Sequence, residues 1–342
     1  MNKATTAVIG CVLAASWALA GPPVTTEIPD SAIWTAHVDF EAVTGSAIAK
    51  GMLALITAEG APVPAHEVAQ ALDGWKNLTN LKSVTLYGSS AAEDDAILVA
   101  RLKYSQAELR KLANITEDTP RVAHGDHTIY TVILKNKKAP QGVRRHGCFY
   151  DAQTVVLGGD LAKVRQALDL LDGRSDAQPL RSDNPLRSML DPSKGSFALV
   201  AVTDTPKMLD AIRARAAEAA AGKPGPRAAL LAKSHAVRAE IGEADGNVFA
   251  TLELTTPTPQ DAENVSMIVQ GMRALLLLHQ NRQKDEGIRK DVFKLVQAVK
   301  CGFEGKTVAV EFRYPSEELL ALMDKLMALR AAQKAAAEGA KE

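Results

Sequence analysis

The sequence predicts an α+β fold of two diverged repeats, each a mostly antiparallel sheet with helices on one face, in a ferredoxin-like arrangement. Three observations lead to this prediction. The stretch CFYDAQTVVL, which begins at Cys148, recurs as CGFEGKTVAV from Cys301, an offset of 153 residues. Capping boxes begin at Ser105 and Thr258, which are separated by the same offset. Each half also alternates short β-branched runs with amphipathic segments.

In the first half, the β-branched and aromatic run 32–38 predicts a strand, and Asp39 can cap the helix that follows it. Val68, Leu72 and Trp75 lie at helical spacing and predict a second helix. The remaining predicted elements are a hairpin over 82–87 and 95–102, a helix from Ser105, a strand over 127–134, a strand pair over 144–157 and a helix over 160–171.

The second half repeats much of this order. It predicts a strand over 197–202, a helix after Asp204, a hairpin over 236–241 and 248–254, and a strand over 307–312. It differs where the first half has the strand around Ile129, because residues 265–278 and the segment from Ile288 predict two helices instead. A final amphipathic helix is expected from Tyr314.

These patterns divide the chain into five segments. They are a signal peptide over 1–20, a first repeat over 21–173, a linker over 174–194, a second repeat over 195–330 and a tail over 331–342. Lys3, an apolar run and the Ala18-Leu19-Ala20 site form the signal peptide, and the run is too short for a comfortable membrane span. We therefore expect an exported protein, periplasmic or extracellular, with no stable membrane span after cleavage.

The composition excludes some partners. The formal net charge is zero and aromatic residues make up 4% of the chain, so neither a basic groove nor a stacking platform for nucleic acid is expected. Signal cleavage removes Cys11 and leaves Cys148 and Cys301. An exported chain permits a disulfide between them, and the alternative is two buried free thiols at equivalent repeat positions.

His124, Asp126 and His127 form the most site-like cluster in the sequence. Two histidines and a carboxylate are typical metal ligands, but the sequence places no further ligand beside them. The alternative is a Gly-Asp turn flanked by exposed histidines. Nucleophile, phosphate-loop and zincin motifs are absent from the sequence, so no cofactor is expected. The run 275–278 is four leucines, which predicts a buried helix or, alternatively, an exposed apolar groove.

The segment 28–39 (IPDSAIWTAHVD) and the helix after it resemble uncharacterised exported bacterial proteins that contain a domain of unknown function. The resemblance implies no site residue. The leading hypothesis is a soluble, non-enzymatic protein that binds an envelope partner or an apolar ligand. The competing hypothesis is a metal-dependent hydrolase with its site at His124, Asp126 and His127.

Overall fold

A computed structural model describes residues 22–58, 63, 65–136, 139–174, 178–208, 210, 234–280 and 286–339. The expected signal peptide, residues 1–20, lies outside the described residues, as does most of the helix expected after Asp204. Among the described residues, no helix has both the length and the apolar character needed to cross a membrane.

Twelve antiparallel strands form one continuous sheet. They are β1 (Trp34–Asp39), β2 (Leu81–Gly88), β3 (Ile97–Leu102), β4 (Arg121–His124), β5 (His127–Asn136), β6 (Ala139–Phe149), β7 (Thr154–Gly158), β8 (Ser196–Val202), β9 (Ala236–Ala244), β10 (Asn247–Thr255), β11 (Val299–Glu304) and β12 (Thr307–Pro315). Their order across the sheet is β11-β12-β10-β9-β8-β1-β2-β3-β7-β6-β5-β4. The halves join in the middle, where Val38 of β1 pairs with Ala198 of β8.

The helices are interspersed with the strands and are numbered in chain order. They are α1 (Phe40–Gly45), α2 (Ala47–Thr57), α3 (Ala65–Thr79), α4 (Gln106–Leu112), α5 (Leu161–Leu171), α6 (Pro185–Ser188), α7 (Pro259–Gln280), α8 (Glu286–Gln297) and α9 (Ser316–Gly339). Short 3-10 turns span Thr25–Glu27 and Glu93–Asp95. Local sequence signals explain several starts: the Asp39 side chain accepts hydrogen bonds from two backbone amides of α1, and Ser105 and Glu108 form a capping box on α4.

The cores lie on both faces of the sheet. One face, here the front, buries Val38, Leu254 and Ala100 beneath α1, α2, α4, α7 and α9. On the other face, here the back, Ile97 and Val156 pack with Leu168 of α5. Helices therefore cover both sides, although the sequence predicted them on one face only. The α+β class and the antiparallel pairing are confirmed.

The segment between the halves lies against the back of the sheet. Leu180, Leu186 and Leu190 are buried there. Glu240 of β9, 1% exposed, accepts hydrogen bonds from the Ser193 backbone N–H at 2.6 Å and from the Ser193 hydroxyl at 2.9 Å. The same carboxylate pairs with Arg238 at 2.7 Å. This buried network attaches the connecting segment to the second half of the sheet.

Candidate functional site

The two histidines offered by the sequence lie at the ends of a two-residue turn. His124 and His127 are paired across the β4–β5 hairpin. Gly125, the first turn residue, has φ +57°, a left-handed conformation that glycine adopts without steric cost. Asp126, the second turn residue, is exposed. The turn of the alternative prediction is therefore present, but the histidines on either side of it are only 20% and 12% exposed.

Both histidines bind aspartates at the end of α5. His124 Nε2 lies 2.8 Å from Asp169 Oδ1, and His127 Nε2 lies 2.9 Å from Asp172 Oδ1. Arg174 joins the two carboxylates, with its guanidinium nitrogens 2.8 Å from Asp169 and 2.9 Å from Asp172. We call these five residues the clasp, because they connect the β4–β5 hairpin to α5.

The electrostatics of the clasp favour the ionised form of Asp172. Burial raises the pKa of Asp172, but the hydrogen bond and charge of His127 and the charge of Arg174 outweigh it, so that pKa lies below its usual range. The Arg174 guanidinium occupies the space beside both carboxylates, where a divalent cation would be repelled. Among the described residues, no group of three or more His, Cys, Asp or Glu side chains could hold a metal ion. The contacts of the clasp link the turn of the β4–β5 hairpin to the end of α5.

Cys148 and Cys301 are both free thiols. They lie on β6 and β11, with eight strands between them in the sheet, a separation of about 40 Å at the usual strand spacing. A disulfide requires Cα atoms within about 7 Å, so the bridge that the sequence permitted does not form. Burial raises the pKa of the Cys148 thiol to about 11, which suppresses its reactivity at neutral pH.

An open polar groove of about 570 Å³ lies between α3 and the start of α4. Its lining residues are Asp73, Lys76, Asn77, Asn80, Lys103, Tyr104 and Glu108. Two of its charged groups have local partners, since Lys103 pairs with Glu41 and Glu108 closes the capping box on Ser105. Hydrogen bonds from Ser105 hold the pKa of Glu108 below its usual range, which suits this capping role.

Large exposed apolar side chains concentrate near β11, at one end of the sheet. The expectation that the run 275–278 is buried was wrong: Leu275, Leu276 and Leu278 are 61%, 59% and 64% exposed. They lie near the end of α7, which packs on β11 and α8, and α8 packs on α9. We define the apolar surface as Met267, Leu275, Leu276, Leu278, Phe293, Phe303 and Leu326, which are all exposed and belong to these four elements.

The sequence signal for this surface was an apolar run that fills a whole helical turn. Such a run has more apolar side chains than one buried stripe can hold. On α7 the buried stripe is formed by Ala262 and Val265, which face β10 and β12. The leucines beyond that stripe remain on the outside of the helix.

Comparisons with known proteins do not place the chain in a characterised family. No family model and no curated protein matches it. Solved structures of TP0453 are distantly similar in fold. Crystal form I has a TM-score of 0.41 and 12% identity over 90% of this chain and 98% of that chain. Crystal form III has 0.43 and 9% over 90% and 99%, and crystal form IV has 0.42 and 11% over 90% and 97%. At these values the likeness assigns neither a fold family nor a function.

Proposed function

We propose that this chain is an exported, soluble, non-enzymatic protein that binds an envelope partner or an apolar ligand on the apolar surface. The observation that carries the proposal is the exposure of Leu275, Leu276 and Leu278 on one end of α7. Export is supported by the signal-peptide pattern of residues 1–20. The Arg174 guanidinium beside both carboxylates of the clasp, and the raised pKa of the Cys148 thiol, make these places weaker candidates than the apolar surface.

Covering the exposed leucines of this surface contributes favourably to binding. Complete burial of a leucine side chain stabilises by about 1.5–3 kcal/mol relative to full exposure. Leu275, Leu276 and Leu278 are roughly 60% exposed, so burying the rest of each side chain would contribute about 1–2 kcal/mol more stabilisation. A ligand that covers all three therefore gains about 3–5 kcal/mol before the entropic cost of association. Groups of exposed apolar side chains of this kind are typical of interaction sites.

We also propose that the scaffold arose from two diverged repeats. The strand order supports this, because β1-β2-β3-β7-β6 runs outward from the middle on one side and β8-β9-β10-β12-β11 on the other. The registers match after a shift of one residue: Tyr87↔Ile97 corresponds to Glu240↔Thr251 when β2 is offset by 153 residues and β3 by 154.

Within the proposed repeats, the same registers favour a different equivalence for Cys148 than the matching sequence motifs did. Cys148 pairs with Val156, and the corresponding pair in the second half is Gly302 with Ala309. The counterpart of Cys148 is therefore Gly302 rather than Cys301. Because neighbouring strand residues point to opposite faces, Cys148 lies on the back of the sheet and Cys301 on the front.

The binding proposal is tested with an apolar probe. The purified exported chain is titrated with 1-anilinonaphthalene-8-sulfonate, and dodecanoate is then added as a competitor. We expect saturable fluorescence that dodecanoate displaces, with affinity weakened about tenfold or more in Leu275→Glu/Leu278→Glu. The matched control is Leu72→Glu/Leu112→Glu, which changes two exposed leucines elsewhere. Equal probe binding by the two double variants, or none by the wild type, would refute the proposal.

The alternative of a metal-dependent hydrolase has its own measurement. The zinc content of the purified chain is compared with that of a His124→Ala/His127→Ala variant. The proposed non-enzymatic function predicts substoichiometric zinc in both. Stoichiometric zinc that is lost in the variant would favour the hydrolase.

A further inference from the structure

Strand β11 ends the sheet with one side unpaired. Within the described part of the chain β11 pairs only with β12, whereas β6, at the corresponding place in the first half, pairs with both β7 and β5. Gly302, Phe303 and Glu304 are exposed on this strand. The free side of an edge strand presents N–H and C=O groups that pair readily with a strand of another chain.

The charges on β11 are complementary to a second copy of the same strand. Lys300 and Glu304 are both exposed, and neither forms an ion pair with any residue that the structure describes. In antiparallel pairing about a two-fold axis at Gly302, Lys300 of each copy lies opposite Glu304 of the other. Opposite charges placed directly across two strands stabilise the pairing, and here the symmetry forms two such pairs.

Symmetry leaves few alternative registers. Residues directly opposite each other in a sheet point to the same face. In a symmetric antiparallel pair, two opposite residues are therefore separated by an even number of positions along the strand. One residue must then lie opposite its own copy, and the two-fold axis passes through that pair. An axis at Cys301 places Lys300 opposite Gly302, and an axis at Phe303 places Glu304 opposite Gly302. Only the axis at Gly302 pairs both charges.

We infer that this chain forms a homodimer through antiparallel pairing of β11 with β11 of a second copy, centred on Gly302. The space at the centre is open, because a Cβ built at Gly302 meets no neighbouring atom within 4 Å. The dimer continues the sheet from one copy into the other. This inference goes beyond the proposed function and rests on Lys300, Gly302 and Glu304 rather than on the leucines of α7.

A charge exchange tests the pairing. Sedimentation equilibrium at low ionic strength measures the dimer dissociation constant of the purified exported chain. Lys300→Glu and Glu304→Lys each place like charges opposite each other twice, and each is expected to weaken the dimer about tenfold. The double variant Lys300→Glu/Glu304→Lys restores opposite charges across the interface and is expected to recover wild-type affinity.

Cross-linking tests the register. In a Cys301→Ser background, Gly302→Cys brings two introduced thiols together at the two-fold axis, and mild oxidation is expected to give a covalent dimer. In the matched variant Phe303→Cys, made in the same background, the introduced thiol lies opposite the serine at position 301 of the other copy. This variant is therefore expected to stay monomeric on a denaturing gel. Three outcomes overturn the inference: a wild-type monomer at millimolar concentration, a double variant no tighter than the single ones, or equal cross-linking of both cysteine variants.

Discussion

Replacing Glu240 with alanine is expected to be one of the most damaging single changes in this protein. The carboxylate is 1% exposed and accepts two hydrogen bonds from Ser193 and one from Arg238. Glu240→Ala leaves the Ser193 N–H without its acceptor and removes the nearer of the two carboxylates that pair with Arg238, whose side chain is only 11% exposed. Breaking a buried ion pair on one side costs about 3–5 kcal/mol.

The size of this loss can be separated from a general effect of removing a charge. Glu253 also pairs with Arg238, at 3.3 Å, but its side chain is 45% exposed. Glu253→Ala should therefore cost less than about 1 kcal/mol. Urea unfolding followed by far-UV circular dichroism measures both values. If Glu240→Ala and Glu253→Ala unfold at the same urea concentration, the assignment of Glu240 as the buried anchor of the connecting segment is wrong.

Three further predictions follow from polar groups in other parts of the fold. Burial raises the pKa of Asp39 to about 6, so the free energy of unfolding should fall by about 1–3 kcal/mol as pH rises from 4 to 6. Urea unfolding at a series of pH values measures this, and Asp39→Asn should flatten the pH dependence. An unchanged pH dependence in the variant would contradict the prediction. Thiol titration of the denatured, unreduced mature chain should find both Cys148 and Cys301 reactive, with Cys148 slow in the native state, whereas a lack of reactive thiols would indicate a bridge. The Glu243 carboxylate accepts a hydrogen bond from the Ala47 N–H at 2.8 Å and so caps α2. Glu243→Ala should lower the free energy of unfolding by about 1–2 kcal/mol. An unchanged midpoint of thermal unfolding in the variant would exclude the capping role.

Local signals predicted most of the elements correctly. The Ser105 capping box is present at α4, and Asp160 caps α5 by accepting from the Ala162 N–H. These motifs act between residues a few positions apart, so a single sequence contains all the information they need. Strand positions were predictable for the same reason, since alternation and β-branched runs are local.

Long-range pairing was not predictable from these signals. The junction of β1 with β8, which makes one sheet instead of two, joins residues about 160 positions apart. Cys148 pairs with Val156 and Cys301 with Val310, and these registers place the two cysteines on opposite faces of the sheet, which the matching sequence motifs did not indicate. The exposure of Leu275 depended on which stripe of α7 faces the sheet, and a wholly apolar turn does not specify this.

The two ends of the sheet differ in a way that accounts for both proposals. Beyond β6, the first half continues with β5 and then with β4, a four-residue strand whose turn is held by the clasp. A short edge strand of this kind presents few unpaired N–H and C=O groups to a strand of another chain. In the second half, the start of α7 corresponds to α4, and residues 266–280 of α7 together with α8 occupy the place in the chain of that hairpin. Helices cannot pair with a strand edge, so β11 remains open, and α7 also has more leucines than its contact with the sheet can bury. On the proposed two-repeat scaffold, helices in the place of a hairpin thus account for both the open edge and the apolar surface, and we expect binding to occur at this end of the sheet.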